Sequence, residues 1–258
     1  MFPFIDGEIL KVFNLKIKSK IDILGDLAYN TLMQFNDRPL KQSLRRGGHW
    51  SKSSAKWLQR QLNDPYVAEA KAQGFRGRAA FKIQQMNQQF HFFKKGARIV
   101  DLGCAPGGWT QVAVKAVHSS NENPLVIGLD LLPTDPIPGA TLLQRDFREP
   151  AVAGELIDLL GGQKADVVMS DMAANTTGNH MVDHLRIMGL VETAYDFAVK
   201  VLAEGGTFVA KIFQGGTEKN LLDKMKRDFQ QVKHVKPDAS RKDSSEFYVV
   251  ATGFRGEK

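Results

Sequence analysis

The chain has 258 residues, of which 43% are hydrophobic and 24% are charged, and its formal net charge is +7. It is long enough to bury a full core, and no apolar run approaches the length of a membrane span. Its single cysteine, Cys104, excludes a disulfide framework, a cysteine-cluster metal site and an iron–sulfur cluster. The acids within residues 1–46 argue against an organellar transit peptide, and we expect this segment to be an N-terminal extension of a cytoplasmic protein.

Positive charge is concentrated in residues 41–82. This basic segment contains ten Lys and Arg residues and two acids, a local balance of +8 in a chain whose total is +7. A basic segment on a near-neutral body, with five interleaved aromatic residues, is typical of a surface that binds RNA phosphates. The alternative is a solvated helical face whose aromatics belong to the core. The residues assigned to RNA binding are Arg45, Arg46, Lys52, Lys56, Arg60, Arg76 and Arg78.

Two helices are predicted before the first strand. Asp64-Pro65 supplies a cap residue followed by proline at the first helical position, and Gly74 ends that segment. Apolar residues then recur at helical spacing from Ala79 to Phe90. Lys82 lies beside this apolar stripe, so it flanks the buried face and can reach a site at the domain surface.

The run Ile99–Trp109 predicts a buried strand, a glycine-rich turn and a helix, which is the architecture of a nucleotide-type cofactor site. The glycines Gly103, Gly107 and Gly108 suit a turn that approaches a ligand closely. The spacing is not GxGxxG, and Asp101 would repel a pyrophosphate at the end of the strand. A cationic nucleoside fits this carboxylate better, which favours S-adenosylmethionine as the cofactor.

Two further acids follow strand-like runs. Asp130 ends an apolar run and is suited to accept hydrogen bonds from both ribose hydroxyls, while Asp146 is suited to accept one from an adenine amino group. Each alone is equally consistent with a turn or cap residue. Three acids at three consecutive strand ends, Asp101 included, favour the cofactor interpretation.

Strands and helices alternate after residue 97, which predicts an α/β fold with a doubly wound, mostly parallel, seven-stranded sheet. The last strand is expected to be antiparallel. The predicted strands are 97–102, 125–130, 141–145, 166–170, 206–213, 231–235 and 246–253, and the predicted helices among them are 108–118, 151–160, 182–203 and 217–229.

Charged residues on the later strands complete a Lys, Asp, Lys, Glu set with Lys82. Asp171 follows one strand, Lys211 lies inside an apolar strand and Glu246 begins the last one. A buried lysine must be paired or lose its charge, and a neutral amine can act as a base. The alternative for each residue alone is an ion pair at the rim of the sheet. No metal site is predicted: His180 and His184 share a helical spacing but lack a third ligand.

Several motifs together resemble one family. They are Asp101–Gly103 with Ala105–Trp109, Asp130–Pro133, Asp146–Arg148, Ser170–Ala173, Val209–Gly215 and Arg241–Thr252. From residue 50 to residue 253 the chain closely resembles the FtsJ-type heat-shock rRNA methyltransferases of bacteria, which methylate a uridine ribose 2′-hydroxyl of large-subunit (23S) rRNA. It departs from the family at Cys104, where alanine is common, and at Ala174, where proline is common.

The resemblance implies a Rossmann-like class I S-adenosylmethionine-dependent methyltransferase, formed by residues 47–258 with a basic helical part at 47–95. It implies that Lys82, Asp171, Lys211 and Glu246 are the catalytic set. It also implies a monomer that acts on ribosomal RNA within the assembled large subunit and supports ribosome assembly. By this resemblance the residues that contact the cofactor are Gly107, Trp109, Asp130 and Asp146. We expect Asp171 to contact the cofactor as well.

We hypothesise in-line methyl transfer in which Lys211 is the general base or orients the hydroxyl, Asp171 orients Lys211, and Glu246 holds the lysine network. An amino-methylating enzyme would need an Asn/Asp-Pro-Pro-aromatic loop after Ser170, and base C5 methylation would need a substrate-side cysteine. Asp101 disfavours a dinucleotide dehydrogenase. Two alternatives stay open, namely methylation of another RNA such as tRNA, and a non-catalytic RNA-binding assembly factor.

Overall fold

The computed structural model describes residues 52–173, 180–213 and 219–256. The chain divides into two units at Asp64–Pro65. In the first unit, helix α1 (Lys52–Leu62) is described, and Arg60 lies exposed in its last turn. The division falls inside the predicted basic helical part, while the predicted boundary at residue 46 lies outside the described range.

The second unit begins with two helices and then alternates strands with helices, as predicted. Its first helix starts at Pro65. In chain order the elements are α2 (Pro65–Ala72), α3 (Ala79–Phe90), β1 (Ile99–Leu102), α4 (Gly108–Val117), β2 (Val126–Asp130), β3 (Ala140–Gln144), α5 (Val152–Leu159), β4 (Ala165–Ser170), α6 (His180–Val201), β5 (Leu202–Phe213), α7 (Lys219–Asp228), β6 (Phe229–Val235) and β7 (Glu246–Phe254).

The described strands form one seven-stranded sheet in the order β3-β2-β1-β4-β5-β7-β6. Neighbours from β3 to β5 pair in parallel, and β7 is antiparallel to both β5 and β6. This confirms the predicted α/β class, the mostly parallel sheet and the antiparallel last strand. Because β1 and β4 are central neighbours, the loops that follow them meet at one edge of the sheet.

Helices cover both faces of the sheet, since parallel strands linked by crossover helices must bury both faces. One face packs on α3 and α4, with Ile83 and Val112 against Ile99 and Val209. The other face packs on α5, α6 and α7. Side chains alternate along a strand, so Asp101 shares the α3/α4 face with Ile99.

Strand β5 starts four residues before the predicted position. Leu202 is buried and pairs with Ala165 of β4, so the chain enters the sheet directly after α6 ends. The pairing register of β4 with β5 shifts between Ala165 and Val167, beside Gly205 and Gly206. Two consecutive glycines are more typical of a turn than of a strand interior, so the predicted strand begins only at residue 206.

Candidate active site and cofactor pocket

The sheet brings the predicted catalytic residues together at the carboxyl end of its central strands. Asp171 follows β4, and Lys211 lies on β5, whose Ala210 pairs with Ser170. Glu246 begins β7, and its neighbour Tyr248 pairs with Lys211. Lys82 reaches the same point from α3. These positions result from strand register, which no local sequence pattern contains.

Asp171 holds Lys211. The Lys211 Nζ donates to the Asp171 main-chain oxygen at 2.5 Å and to its Oδ1 at 3.1 Å. The two side chains are 9% and 20% exposed, so this is a mostly buried ion pair. Burial in a low-dielectric site makes the pairing obligatory, because an isolated buried charge is strongly unfavourable. The prediction that Asp171 orients Lys211 is consistent with this geometry.

Glu246 holds Lys82. The Lys82 Nζ lies 2.7 Å from Glu246 Oε1, and both side chains are mostly buried. Burial acts to raise the pKa of Glu246, but the charges of Lys82 and Lys211 and the hydrogen bonds from Lys82 and Ser240 together outweigh it, so that the pKa lies below its usual value. The two lysines therefore have separate carboxylate partners, which refines the prediction that Glu246 holds the lysine network as a whole.

Tyr248 connects the two ion pairs, and the sequence analysis missed it. Its hydroxyl accepts a hydrogen bond from Lys82 Nζ at 3.1 Å and donates to Asp171 Oδ1 at 2.9 Å. Burial, and then the charge of Asp171, raise the pKa of Tyr248 well above its usual value. The phenol therefore stays neutral and keeps its proton available to the carboxylate. Its place two residues after Glu246, on the same face of β7, was a usable signal.

The loop between β6 and β7 supports Glu246, and this contact was also missed. Ser240 Oγ donates to Glu246 Oε1 at 2.9 Å. The neighbouring peptide is held by α3 on one side, because Ala239 N–H donates to Gln85 Oε1 at 2.8 Å. The Arg78 guanidinium donates to the Ala239 carbonyl on the other side. The helix that carries Lys82 thus also fixes the loop that orients its partner.

A pocket of about 530 Å³ opens beside the ion pairs. It contains four of the predicted cofactor residues, and Asp171 is shared between the pocket and the catalytic set. Apolar side chains, including Leu131, Leu132 and Phe147, supply much of the wall. The predicted cofactor residues that line it are Gly103, Asp130, Asp146 and Asp171.

The two pocket acids are held differently. Asp130 accepts hydrogen bonds from the N–H groups of Ala105, at 2.9 Å to Oδ2, and Leu132, at 2.8 Å to Oδ1. Asp146 pairs with Arg148, and the hydrogen bond from that guanidinium lowers the pKa of Asp146. A carboxylate has about four lone-pair sites, so Asp130 keeps capacity for a ligand donor, whereas four hydrogen bonds from Arg148 already occupy the two oxygens of Asp146.

Asp101 does not line the pocket. It is 1% exposed on the α3/α4 face, where its Oδ2 accepts a hydrogen bond from Thr110 Oγ1 at 2.6 Å. Its Oδ1 has no hydrogen-bond partner among the described residues. Burial raises the pKa of Asp101 to about 7. The burial of Asp101 therefore does not favour the predicted direct contact between this residue and the cofactor.

The glycine turn and Trp109 have packing roles. A Cβ on Gly103, whose φ is +73°, would lie 2.2 Å from Met172 Cγ, so only glycine fits beside that pocket residue. Gly107 caps α4 and Gly108 begins it. The Trp109 indole is 3% exposed in the core and donates to the Ala79 carbonyl at 2.8 Å. Its side chain thus faces α3, and only its backbone remains for the predicted cofactor contact.

The predicted RNA-binding residues do not form one exposed patch among the described residues. Arg45 and Arg46 lie outside the described range, as do the side chains of Lys52 and Lys56 on α1. Arg60 is exposed. The guanidinium groups of Arg76 and Arg78 instead bind backbone carbonyls.

Aromatic side chains of the basic segment pack against one another. Phe81 contacts Tyr66 and Phe75, with ring centroids 5.5 and 5.7 Å apart. Together with Ala70 and Ala239 they form a small core. For these three rings the alternative interpretation, a core role, is confirmed.

In the part of the chain that the structure describes, no cluster of three or more His, Cys, Asp or Glu side chains is arranged to hold a metal ion. The side chains of His180 and His184 lie outside that part. None of the described helices is both long and apolar enough to cross a bilayer.

Comparison with known proteins identifies the family. The sequence model of the FtsJ-like methyltransferases matches residues 75–254. A protein of Xanthobacter autotrophicus named ribosomal RNA large subunit methyltransferase E is 58% identical over 220 residues, which cover 85% of this chain and 86% of that protein. A protein of the same name from Paramagnetospirillum magneticum is 60% identical over 206 residues, or 79% of this chain and 84% of that one.

A solved structure shows the same fold. It is that of a Plasmodium falciparum protein assigned as a ribosomal RNA methyltransferase, with a TM-score of 0.62 and 31% identity, and it covers 71% of this chain and all of that one. Residues 75–254, which the family model matches, contain the whole described sheet, the pocket and all four predicted catalytic residues. The chain therefore belongs to the FtsJ-like methyltransferase family.

Proposed function

We propose that this protein transfers the methyl group of S-adenosylmethionine to the ribose 2′-hydroxyl of a uridine in large-subunit (23S) ribosomal RNA. The observation that carries the proposal is the double role of Asp171, which binds Lys211 and also lines the pocket. A hydroxyl that Lys211 holds would therefore lie next to a methyl donor in the pocket. Such proximity of reactants accounts for much of the rate enhancement in group transfer.

The pocket fits S-adenosylmethionine in size and charge. Its volume of about 530 Å³ lies within the range of small-molecule sites. Asp130 offers acceptor sites for hydroxyl groups, an amino group of the ligand would compete with Arg148 for Asp146, and the apolar wall suits a nucleoside. When bound, S-adenosylmethionine supplies an electrophilic methyl group that needs no further activation.

The chain's own residues align the hydroxyl and take its proton. Within the described residues, two of the three N–H groups of the Lys211 ammonium donate to Asp171. We assign the third N–H group to the ribose hydroxyl. Lys211 passes one ammonium proton to the Asp171 carboxylate as it takes up the departing hydroxyl proton, so the released proton ends on Asp171 and the two side chains act as one unit. Tyr248 and the Lys82–Glu246 pair keep that unit in place.

The names of the relatives support the choice of RNA. We propose that the protein acts in the cytoplasm, as a monomer, on ribosomal RNA within the assembled large subunit, and that residues 41–60 bind phosphates there. Arg60, exposed on α1, belongs to this group.

The experiment is methyl transfer from isotope-labelled S-adenosylmethionine to large subunits, purified 23S rRNA and tRNA, all from cells that lack this protein. We expect label in 2′-O-methyluridine of 23S rRNA. Label in tRNA alone would support the second RNA substrate instead. RNA binding without transfer, unchanged by Lys211→Met, would support a non-catalytic assembly factor.

A further inference from the structure

Arg76 lies in the turn between α2 and α3, within the basic segment, but its side chain is directed at the protein. Its Nη1 donates to the main-chain oxygens of Pro106 at 2.9 Å and Asp135 at 2.8 Å. Its Nη2 donates to the main-chain oxygen of Pro136 at 2.8 Å. A planar guanidinium with several fixed donors suits such a bridge better than a single ammonium does.

The three carbonyls belong to the two loops that build the predicted cofactor pocket. Pro106 lies in the loop between β1 and α4, next to Ala105, which lines the pocket. Asp135 and Pro136 lie in the loop between β2 and β3, which starts with the lining residues 131 and 132. Neither loop has regular secondary structure, so its shape depends on such contacts.

The same two loops are also joined at the pocket wall. Asp130, at the end of β2, accepts the Ala105 N–H at 2.9 Å. Asp130 and Arg76 therefore hold adjacent residues of one loop, Ala105 and Pro106, and both connect that loop to the end of β2 and the segment that follows it. A pocket residue and a residue that does not line the pocket thus act on the same piece of backbone.

Helix α4 fixes the backbone from which Arg76 extends. Gln111 Oε1 accepts the Arg76 N–H at 2.8 Å, and Gln111 Nε2 donates to the Gly74 carbonyl at 3.1 Å. A Cβ on Gly107 would lie 2.9 Å from Arg76 Nη1 and 2.6 Å from Ile137 Cδ1. The positive φ of +108° and this close approach both require glycine at residue 107.

We propose that Arg76 is a positioning residue of the cofactor site, which clamps the β1–α4 and β2–β3 loops in their binding geometry, and is not an RNA-phosphate contact. The inference rests on the proposed function, because it takes S-adenosylmethionine as the ligand of the pocket. It separates Arg76 from the other arginines and lysines assigned to RNA binding.

The test compares Arg76→Met and Arg76→Lys with the wild type and with Lys115→Met, a control that removes one exposed charge from α4. Calorimetric titration measures S-adenosylmethionine affinity, and RNA affinity is measured across a salt series. We expect Arg76→Met to raise the cofactor Kd about 10-fold, as for one lost hydrogen bond to a charged group. The KM for the cofactor should rise equally, with kcat within about twofold at saturation.

Arg76→Lys distinguishes clamping from charge. It keeps the positive charge, but one ammonium lacks the planar fork that joins the two loops, so the clamp predicts weaker cofactor binding with RNA affinity unchanged. Cofactor affinity equal to wild type in Arg76→Lys and Arg76→Met would overturn the proposal. So would a salt slope reduced by about 0.7 to 0.9 in Arg76→Met but not in the control, which would identify a phosphate contact.

Two controls distinguish failure of the clamp proposal from loss of folding and from failure of the proposed function. Thermal unfolding of each variant is measured first, and if Arg76→Met does not fold, the conservative Arg76→Lys decides the question. A wild-type protein that does not bind S-adenosylmethionine would overturn both the proposed function and the clamp. If the wild type binds S-adenosylmethionine and both Arg76 variants bind it with the same affinity, only the clamp is overturned.

Discussion

The predicted catalytic cluster (Lys82, Asp171, Lys211, Glu246) and the predicted cofactor pocket hold their charged residues in different ways. In the cluster, Lys82 and Lys211 are buried and each is paired with a carboxylate. In the pocket, Asp130 is held by backbone N–H groups, while Asp146 and its partner Arg148 are more exposed to solvent. The cluster is therefore assembled by its own ion pairs, whereas Asp130 in the pocket keeps lone pairs for a ligand and the Asp146 side chain is held by Arg148.

The difference follows from burial. A buried charge is not solvated by water and must be paired with an opposite charge inside the protein, so the positions of the buried lysines are set by the fold. A partly exposed acid is solvated whether or not a ligand is bound, so its position depends on nearby loops. Substitutions in the cluster should therefore change the rate and the stability, and substitutions in the pocket should change cofactor affinity.

The largest effect is expected for Lys211→Met, which keeps roughly the length of the side chain but removes the group that we propose holds the hydroxyl. Loss of a positioned acid–base group should reduce kcat by about 10²- to 10⁴-fold, with cofactor affinity nearly unchanged. Single-turnover methyl transfer and calorimetry measure the two quantities. A rate within a few-fold of wild type would remove Lys211 from the reaction.

The next largest effect is expected for Asp101, a buried acid that lies in neither the predicted catalytic cluster nor the pocket. Burial raises the folded-state pKa of Asp101 to about 7, above its unfolded value, so the folded state binds more protons and stability falls as pH rises from about 4 to 7. Asp101→Asn should therefore be more stable than wild type at pH 8, by several kcal/mol at about 1.4 kcal/mol per pKa unit.

At pH 4 the difference between Asp101→Asn and wild type should shrink, because both side chains are then neutral. Denaturant unfolding at the two pH values measures the difference. Equal stability of the two proteins at pH 8 would contradict the raised pKa.

Glu246→Gln should leave Lys82 without a charged partner and lower the free energy of unfolding at pH 7 by about 3 kcal/mol, as for a broken buried ion pair. The pKa of Glu246 is lowered in the folded state, so the stabilisation is complete above its unfolded pKa and is lost as pH falls through the folded value. The gap between variant and wild type should thus narrow in acid. A gap independent of pH would argue against the ion pair.

In the pocket, Asp130→Ala should weaken S-adenosylmethionine binding by about 1.5 to 3 kcal/mol, the range for hydrogen bonds to a charged group. It also releases the N–H groups of Ala105 and Leu132, so part of the loss comes from loop geometry. Asp130→Asn keeps one acceptor and should lose less. Calorimetry of the two variants checks the order, and wild-type affinity in a folded Asp130→Ala protein would contradict the assignment.

The smallest effect is expected for Tyr248→Phe, which removes only the hydroxyl between the two ion pairs. One hydrogen bond is worth about 1 kcal/mol net, so we expect about a fivefold lower kcat with unchanged cofactor affinity. The pH–rate profile provides the second measurement, since loss of the link should shift it. An unaltered rate and profile would make Tyr248 a packing residue only.

The sequence by itself determined the order of elements and the fold class. Alternating apolar strands and helices predict a doubly wound sheet because both of its faces must be covered. The turn at Gly103 and the acid Asp130 at the end of β2 indicated the pocket, because parallel strands place their carboxyl ends at one edge. Motif resemblance then singled out Lys82, Asp171, Lys211 and Glu246.

Only the tertiary structure decided which of these residues touch. The register of β5 against β4 and β7 pairs Lys211 with Asp171 and places the Tyr248 hydroxyl between the two ion pairs. Register depends on contacts between residues distant in the chain. The direction of the Arg76 side chain was also decided there. A net charge predicts a surface for phosphates, but it does not reveal a guanidinium that three backbone carbonyls already bind.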